Sequence, residues 1–174
     1  KNYNKNVPLS GGIYLFIAIA ANILMSISHY ESFIIALFIF FFLILGIYTD
    51  LKSDFEPKIR LLFQTILTLS LVITLDLKIN DTGVFFLNYF IGNSIFNLIF
   101  TSFCILILLN GSNLCDGVNC NVMGYYLILC TAIMLSDLST PSAFLQIEII
   151  VNIFFIFYIF NLFKKYFLGD SGVY

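Results

Sequence analysis

The stretch Phe96–Cys120, "FNLIFTSFCILILLNGSNLCDGVNC", is mainly apolar as far as Leu109 and then breaks into a polar island, Asn110–Cys120. Beyond the island the apolar sequence resumes. An apolar run bounded by a cluster of Asn, Asp and Gly reads as a membrane span ending at a functional edge. The rest of the 174-residue chain supports that reading: 60% of residues are hydrophobic, 18% aromatic and only 10% charged. A soluble domain carries roughly a quarter charged residues, and a helical span needs about 20 apolar ones. The fold class that follows is all-α, a polytopic transmembrane helix bundle.

Six apolar segments can be marked, near residues 11–28, 33–48, 58–75, 94–109, 118–135 and 143–163. Several are short for a span, so tilt or local bilayer thinning is expected. A further apolar patch, Val84–Ile91, is too short to cross and is expected at the membrane interface. No internal repeat or low-complexity linker divides the chain, so it is read as one integral-membrane domain. It has no signal peptide pattern and no initiator Met, and it reads as an internal stretch of a longer protein. Cys104 and Cys130 lie inside apolar runs, Cys115 and Cys120 flank the polar island, and no zinc-type spacing is present. They read as reduced thiols, and His29 as a residue of the short connector "SHYES".

Alternation of six helices puts Lys1, Lys5, Lys52, Lys58, Arg60, Lys164 and Lys165 on one face and Lys78 alone on the other. Cytoplasmic loops carry the excess of Lys and Arg, so the first face is expected to be cytoplasmic. Asp50, Asp54, Glu56, Asp116 and Asp170 fall on it as well. Asp54 and Glu56 suit solvated loop charge. Asp50, Asp116 and Asp170 each abut an apolar run, and Asp116 and Asp170 neighbour glycines that let backbone approach a ligand. Glu148 lies near the outer end of the last helix, where a carboxylate can reach water. Separated carboxylates beside amides, at the edge of a membrane, suit a hard cation and a phosphorylated substrate. No nucleotide-binding phosphate loop and no Gly-x-Ser-x-Gly elbow occurs.

Four motifs then resemble one family. "VPLSGGI", Val7–Ile13, is similar to the Pro-x-x-Gly-Gly motif of the polyprenyl-phosphate N-acetylhexosamine-1-phosphate transferases, of the glycosyltransferase family 4 type. "GIYTDLKSDFEPKIRLLFQ", Gly46–Gln64, resembles that family's Asp-Asp loop followed by Ser-Pro-Lys-x-Arg-Leu. "NGSNLCDGVNC" is similar to its Asn-x-x-Asn-x-x-Asp-Gly-x-Asp/Asn-Gly block, and "KYFLGDSG", Lys165–Gly172, to its Lys-x-Phe-x-Gly-Asp-x-Gly block. The four stand in family order, over nearly the whole chain and the middle of a protein of about ten helices.

The resemblance implies transfer of a sugar-1-phosphate from a UDP-N-acetylhexosamine to a membrane polyprenyl phosphate, with release of UMP. It implies Mg²⁺, with Mn²⁺ as the substitute, in a multi-pass protein of the bacterial inner membrane whose site faces the cytoplasm. Partners would be the lipid, the nucleotide sugar and the membrane, with room for a homodimer; nucleic acid is not among them. Asp170 matches a magnesium ligand. Asp50 matches the second Asp of the pair, near the attacking lipid phosphate. Asn110, Asn113 and Asp116 match the nucleotide and diphosphate side, Asn119 stands where many members have a second Asp, and Lys5 matches a basic residue before the Pro-Gly-Gly motif. "NGSNLCDG" would be a substrate-facing loop.

Two departures matter: Thr49 replaces the first Asp of the pair, and Cys120 replaces the closing Gly of the third block. A threonine hydroxyl orients a phosphate but is a poor base. Missing Asp positions favour initiation of O-antigen or another surface glycan over phospho-N-acetylmuramoyl-pentapeptide transfer in peptidoglycan synthesis. A transporter is the reading from another class. It would place its acids near the bilayer midplane rather than at helix ends. A degenerate paralogue is the third.

Overall fold

The computed structural model describes residues 11–26, 29–52, 56–115, 120–136, 141–163 and 169–173, except the side chains of 24–26, 29, 141–146 and 170. All regular structure among them is helical: α1 Gly11–Ser26, α2 His29–Leu51, α3 Pro57–Thr74, α4 Phe85–Ile91, α5 Ser94–Cys115, α6 Asn121–Leu135, α7 Pro141–Leu162 and α8 Gly169–Val173. Each of the six apolar segments overlaps one of these helices. Tyr30–Leu51, Pro57–Thr74 and Ser94–Cys115 are long and apolar enough to cross a membrane. Gly11–Ile23, Asn121–Leu135 and Ile147–Leu162 are shorter apolar helices. The chain is a polytopic helical membrane protein.

Two boundaries differ from expectation. The connector "SHYES" is mostly the first turn of α2, which begins at His29. The island residues Asn110–Cys115 are not loop but the last turns of α5. Asn and Gly are poor helix formers. Near lipid, however, every backbone polar group must be satisfied within the segment, and continuing the helix does that.

The chain divides into two compact units. One comprises Lys1–Ser53 with Ser112–Tyr174, and the other Asp54–Gly111. In the first, α6 packs on α7, and α1 touches α2, α7 and α8. Its core is Leu15, Val122, Met123, Phe157 and Val173, walled by Ile19, Tyr126, Ile153, Phe154 and Tyr158. Phe157 is almost wholly buried, and Tyr14 stacks on it with ring centres 6.0 Å apart. Most other apolar side chains of the helices face outward, including Ile17, Phe40, Phe41 and Ile44. That inversion suits lipid as the solvent.

In the second unit α3 starts at an exposed Glu56 followed by Pro57 at the first helical position. An acid at the positive end of the helix and a proline where no N–H is needed both favour the start there. The other end closes with two hydrogen bonds: Leu77 N–H reaches Val72 O at 3.0 Å, and Asp76 N–H reaches Ile73 O at 3.4 Å. This is a Schellman ending with Asp76 in the left-handed position, φ 48°. Hydroxyls inside α3 bond to their own helix: Thr65 to Leu61 O at 2.7 Å, Thr68 to Gln64 O at 2.8 Å and Thr74 to Ser70 O at 2.6 Å. Such bonding lets hydroxyl side chains sit in a span without strangers as partners.

Gln64 is different. It is fully buried, and neither its amide nitrogen nor its oxygen has a hydrogen-bond partner among the described residues. A buried, unsatisfied polar group costs about 1–3 kcal/mol. Replacing it with an apolar side chain of similar volume removes that cost. Gln64→Met is therefore expected to raise the thermal unfolding midpoint in nanodiscs, by an amount equivalent to about 1–3 kcal/mol. An unchanged or lowered midpoint would show that the amide is satisfied in the membrane.

Candidate functional site

Two glycines and one carboxylate bring three of the four motifs together. Gly12, in the first turn of α1, lies against α8. A Cβ built on it would fall 2.4 Å from Ser171 C, 2.5 Å from Ser171 O and 2.6 Å from Gly172 N. Those are backbone atoms, so no side-chain adjustment relieves the clash, and only Gly permits the approach. Gly169 opens α8 at φ +68°, a left-handed conformation that Gly adopts without penalty. A Cβ there would meet Asp50 Oδ2 at 2.8 Å and Oδ1 at 3.3 Å.

Asp50 itself sits at the end of α2, half-buried, and its Oδ2 accepts a hydrogen bond from Ser171 N–H at 3.0 Å. Hydrogen bonds from backbone N–H to a carboxylate are the stronger, charge-assisted kind. The chain around Asp170 is thus held by Gly12 on one side and Asp50 on the other. Asp50 and the backbone carrying Asp170 are the two sequence-predicted site positions that the structure brings together.

Thr49, one residue earlier, donates its hydroxyl to Gly46 O at 2.8 Å. Its proton is spent inside its own helix. Lys52 reaches the Tyr48 hydroxyl at 3.0 Å and lies 5.3 Å from the centre of that ring. The hydrogen bond to Tyr48 lifts the Lys52 pKa above the ordinary lysine value and keeps a positive charge at the end of α2.

Asn110 and Asn113 lie on the last turns of α5, one helical turn apart. Asn110 donates its amide to Leu106 O at 2.9 Å, and Asn113 is buried. Beside them Ser112 shares a 2.6 Å hydrogen bond with the Tyr126 hydroxyl of α6. Lys5, Asp116 and Asn119 lie outside the described residues, as does the side chain of Asp170. Glu148 is exposed on α7.

Cys120, where the motif calls for Gly, has φ 66°, the left-handed region. The position keeps the backbone that glycine would serve, with a side chain that pays for it. Two contacts hold it there. Its N–H donates to Asn161 Oδ1 at 2.6 Å, and its thiol approaches Tyr158 O at 3.8 Å. Asn161 is 4% exposed, on the last turn of α7. It ties the start of α6 to the helix that leads to the fourth motif. Sequence reading missed Asn161, Ser112 and Tyr126. The only available signal was an isolated amide at the polar end of an apolar run.

Among the described residues no group of three or more His, Cys, Asp or Glu side chains gathers to hold a metal ion. What approaches Gly169 and Ser171, on either side of Asp170, is the Asp50 carboxylate, an oxygen donor. Oxygen donors from carboxylates fit Mg²⁺ or Mn²⁺ rather than a thiolate- or imidazole-loving metal.

The Gly-Gly, Asp-loop and Gly-Asp-x-Gly motifs thus meet in one helical membrane unit. The match to a family model is in accord: residues 32–174 match glycosyl transferase family 4. The chain belongs to that family, whose members are polyprenyl-phosphate sugar-phosphate transferases. Neither the curated proteins nor the solved structures compared with it give a match.

The two unusual backbone positions predict opposite effects. Gly12→Ala forces α1 and α8 apart and is expected to destabilise by about 1–3 kcal/mol, the usual range for overpacking. Cys120→Gly removes a left-handed penalty of roughly 1–2 kcal/mol and loses about 0.5–1 kcal/mol to glycine's greater unfolded freedom. A net gain of about 0.5–1 kcal/mol is expected. Thermal unfolding of both variants in nanodiscs reads the signs. Two shifts in the same direction would contradict the backbone assignment.

Proposed function

We propose that the protein transfers a sugar-1-phosphate from a UDP-N-acetylhexosamine to a membrane polyprenyl phosphate. An acceptor phosphate oxygen bonds to the β-phosphorus, the bond from that phosphorus to the bridging oxygen breaks, and UMP leaves. The observation that carries this reading is the approach of Asp50 to α8, within a chain of this family. Asp50 would position the acceptor side. Asn110, Asn113, Asp116 and Asn119 would bind the nucleotide and diphosphate, and Lys5 would add positive charge. Asp170 would hold Mg²⁺, which when bound neutralises the diphosphate charge. The surface-glycan pathway, initiating O-antigen or a similar polymer, is preferred because Thr49 and Asn119 replace Asp positions. The site would face the cytoplasm of a bacterial inner membrane, since seven of the eight basic residues fall on that face under alternation.

Catalysis of this kind rests on positioning and on charge stabilisation. Asp50→Asn keeps an oxygen able to accept from Ser171 N–H but removes the charge. Asp170→Asn weakens a hard-cation ligand. Both are expected to lower turnover by on the order of 10²-fold, with folded yield nearly kept. The assay is radiolabel transfer from UDP-sugar to lipid extract, in membranes expressing the full protein, across a magnesium series. Unchanged turnover of Asp170→Asn at limiting magnesium would remove it from the ligand set. Uptake of a solute without lipid labelling would favour a transporter instead.

A further inference from the structure

The connector between α3 and α5 is folded, and its surface is the reverse of a soluble one. Phe85, Phe86, Tyr89 and Phe90 of α4 are exposed, at 94%, 68%, 80% and 38%, while Ile91 is buried. Helix residues are 100° apart, so these four share one arc of about 140°. The rings touch one another, Phe86 to Phe90 at 5.0 Å and Tyr89 to Phe90 at 5.4 Å. The polar residue of α4 is spent elsewhere. Asn88 accepts from Thr82 N–H at 2.9 Å, and its amide donates to Asp81. Gly83 N–H donates to Asp81 at 2.8 Å as well, and these bonds hold the Asp81 carboxyl below the usual range.

The height of α4 is fixed by the helices on either side of it. Both α3 and α5 are long and apolar enough to cross a membrane. The end of α3 and the start of α5 are neighbours, since Val72 and Ile73 share a hollow of about 260 Å³ with Ser94, Ile95 and Leu98. Asn97, in the first turn of α5 and 5% exposed, clamps the connector. Its oxygen accepts from Ile79 N–H at 3.1 Å, and its amide donates to Ile79 O at 2.8 Å and to Ile91 O at 3.2 Å. The end of α4 is therefore held beside the end of α3 and the start of α5.

We infer that α4 lies along the membrane–water interface with Phe85, Phe86, Tyr89 and Phe90 seated in lipid. The occupant of this face is the bilayer that α3 and α5 cross. Tyr concentrates at that depth, Phe is usual on the lipid-facing side of helices that lie in the interface, and a contiguous exposed aromatic face of this kind marks an interaction surface. The clamp makes α4 a float that sets the height of the α3–α5 hairpin. The inference is independent of the transferase reading.

The chain contains no Trp, so a single introduced Trp is the only indole emitter. Phe85→Trp, Phe86→Trp and Tyr89→Trp, each at an exposed site, are compared with Asn80→Trp on the connector. The chains are placed in phosphatidylcholine vesicles whose acyl chains carry bromine at carbons 6,7 or 11,12, with iodide as the aqueous quencher. Expected are blue-shifted emission, quenching stronger by 6,7- than by 11,12-bromines, and bromolipid quenching about twofold above Asn80→Trp. Water-like emission quenched by iodide alone, in any of the three, would overturn the inference. So would a blue shift without bromolipid quenching that fades on dilution into excess lipid, since a second copy would then cover the face.

Discussion

The geometry of the candidate site rests on how closely three backbones can approach. Gly12 gives α1 no side chain at the place where α8 crosses it, and Gly169 leaves room for the Asp50 carboxylate. Asp50 then accepts the Ser171 N–H. Remove the space at either glycine and the chain around Asp170 must move. The carboxylate proposed to hold magnesium is borne by that stretch of chain. Burial alone would not define this arrangement, because the apolar contacts of α1, α2 and α8 are non-directional. The charge-assisted hydrogen bond gives it direction.

The remaining core supports that arrangement from the opposite side. Val173 of α8 belongs to the same buried cluster as Leu15, Val122, Met123 and Phe157. One short helix therefore carries a core residue and the Gly-Asp-Ser-Gly part of the fourth motif within five positions. On the neighbouring helices Asn161 catches the N–H of Cys120, so the polar block that begins on α5 ends against α7. Polar side chains are few in this chain. Among the described residues the buried Thr68 and Ser102 bond to carbonyls of their own helices, Asn97 and Asn161 tie separate segments together, and the Gln64 amide has no hydrogen-bond partner.

Much of the fold was legible because hydropathy segments a membrane chain strongly. Long apolar runs, with polar breaks between them, map onto helices α1, α2, α3, α5, α6 and α7. The boundaries were less legible. Asn110–Cys115 reads as a loop by composition, yet a backbone near lipid keeps its hydrogen bonds by remaining helical. In the site, Asp50 and Asp170 could be singled out by their place at the ends of apolar runs and by the motifs around them. Gly12's role was not separable from that of any helix-opening glycine, since the partner backbone lies more than 150 positions away in the sequence. Thr49's hydroxyl donates to Gly46 of its own helix, a bond that the motif comparison gave no sign of. Lys5, Asp116 and Asn119 lie outside the described residues.

The continuation of α5 to Cys115 has a geometric consequence. Asn110 rides on the same helix as the Ser94–Leu109 part of the span, within one compact unit. Each residue of an α-helix advances about 1.5 Å and turns 100°. Insertion or loss of one residue anywhere between Ser94 and Leu109 would therefore swing the Asn110 amide by about a quarter-turn or more, while two turns' worth, about seven residues, would nearly restore its bearing. The length of this span is thus quantised by the compass heading of its tip, and adaptation to a thicker or thinner bilayer must come from tilt rather than from adding single residues.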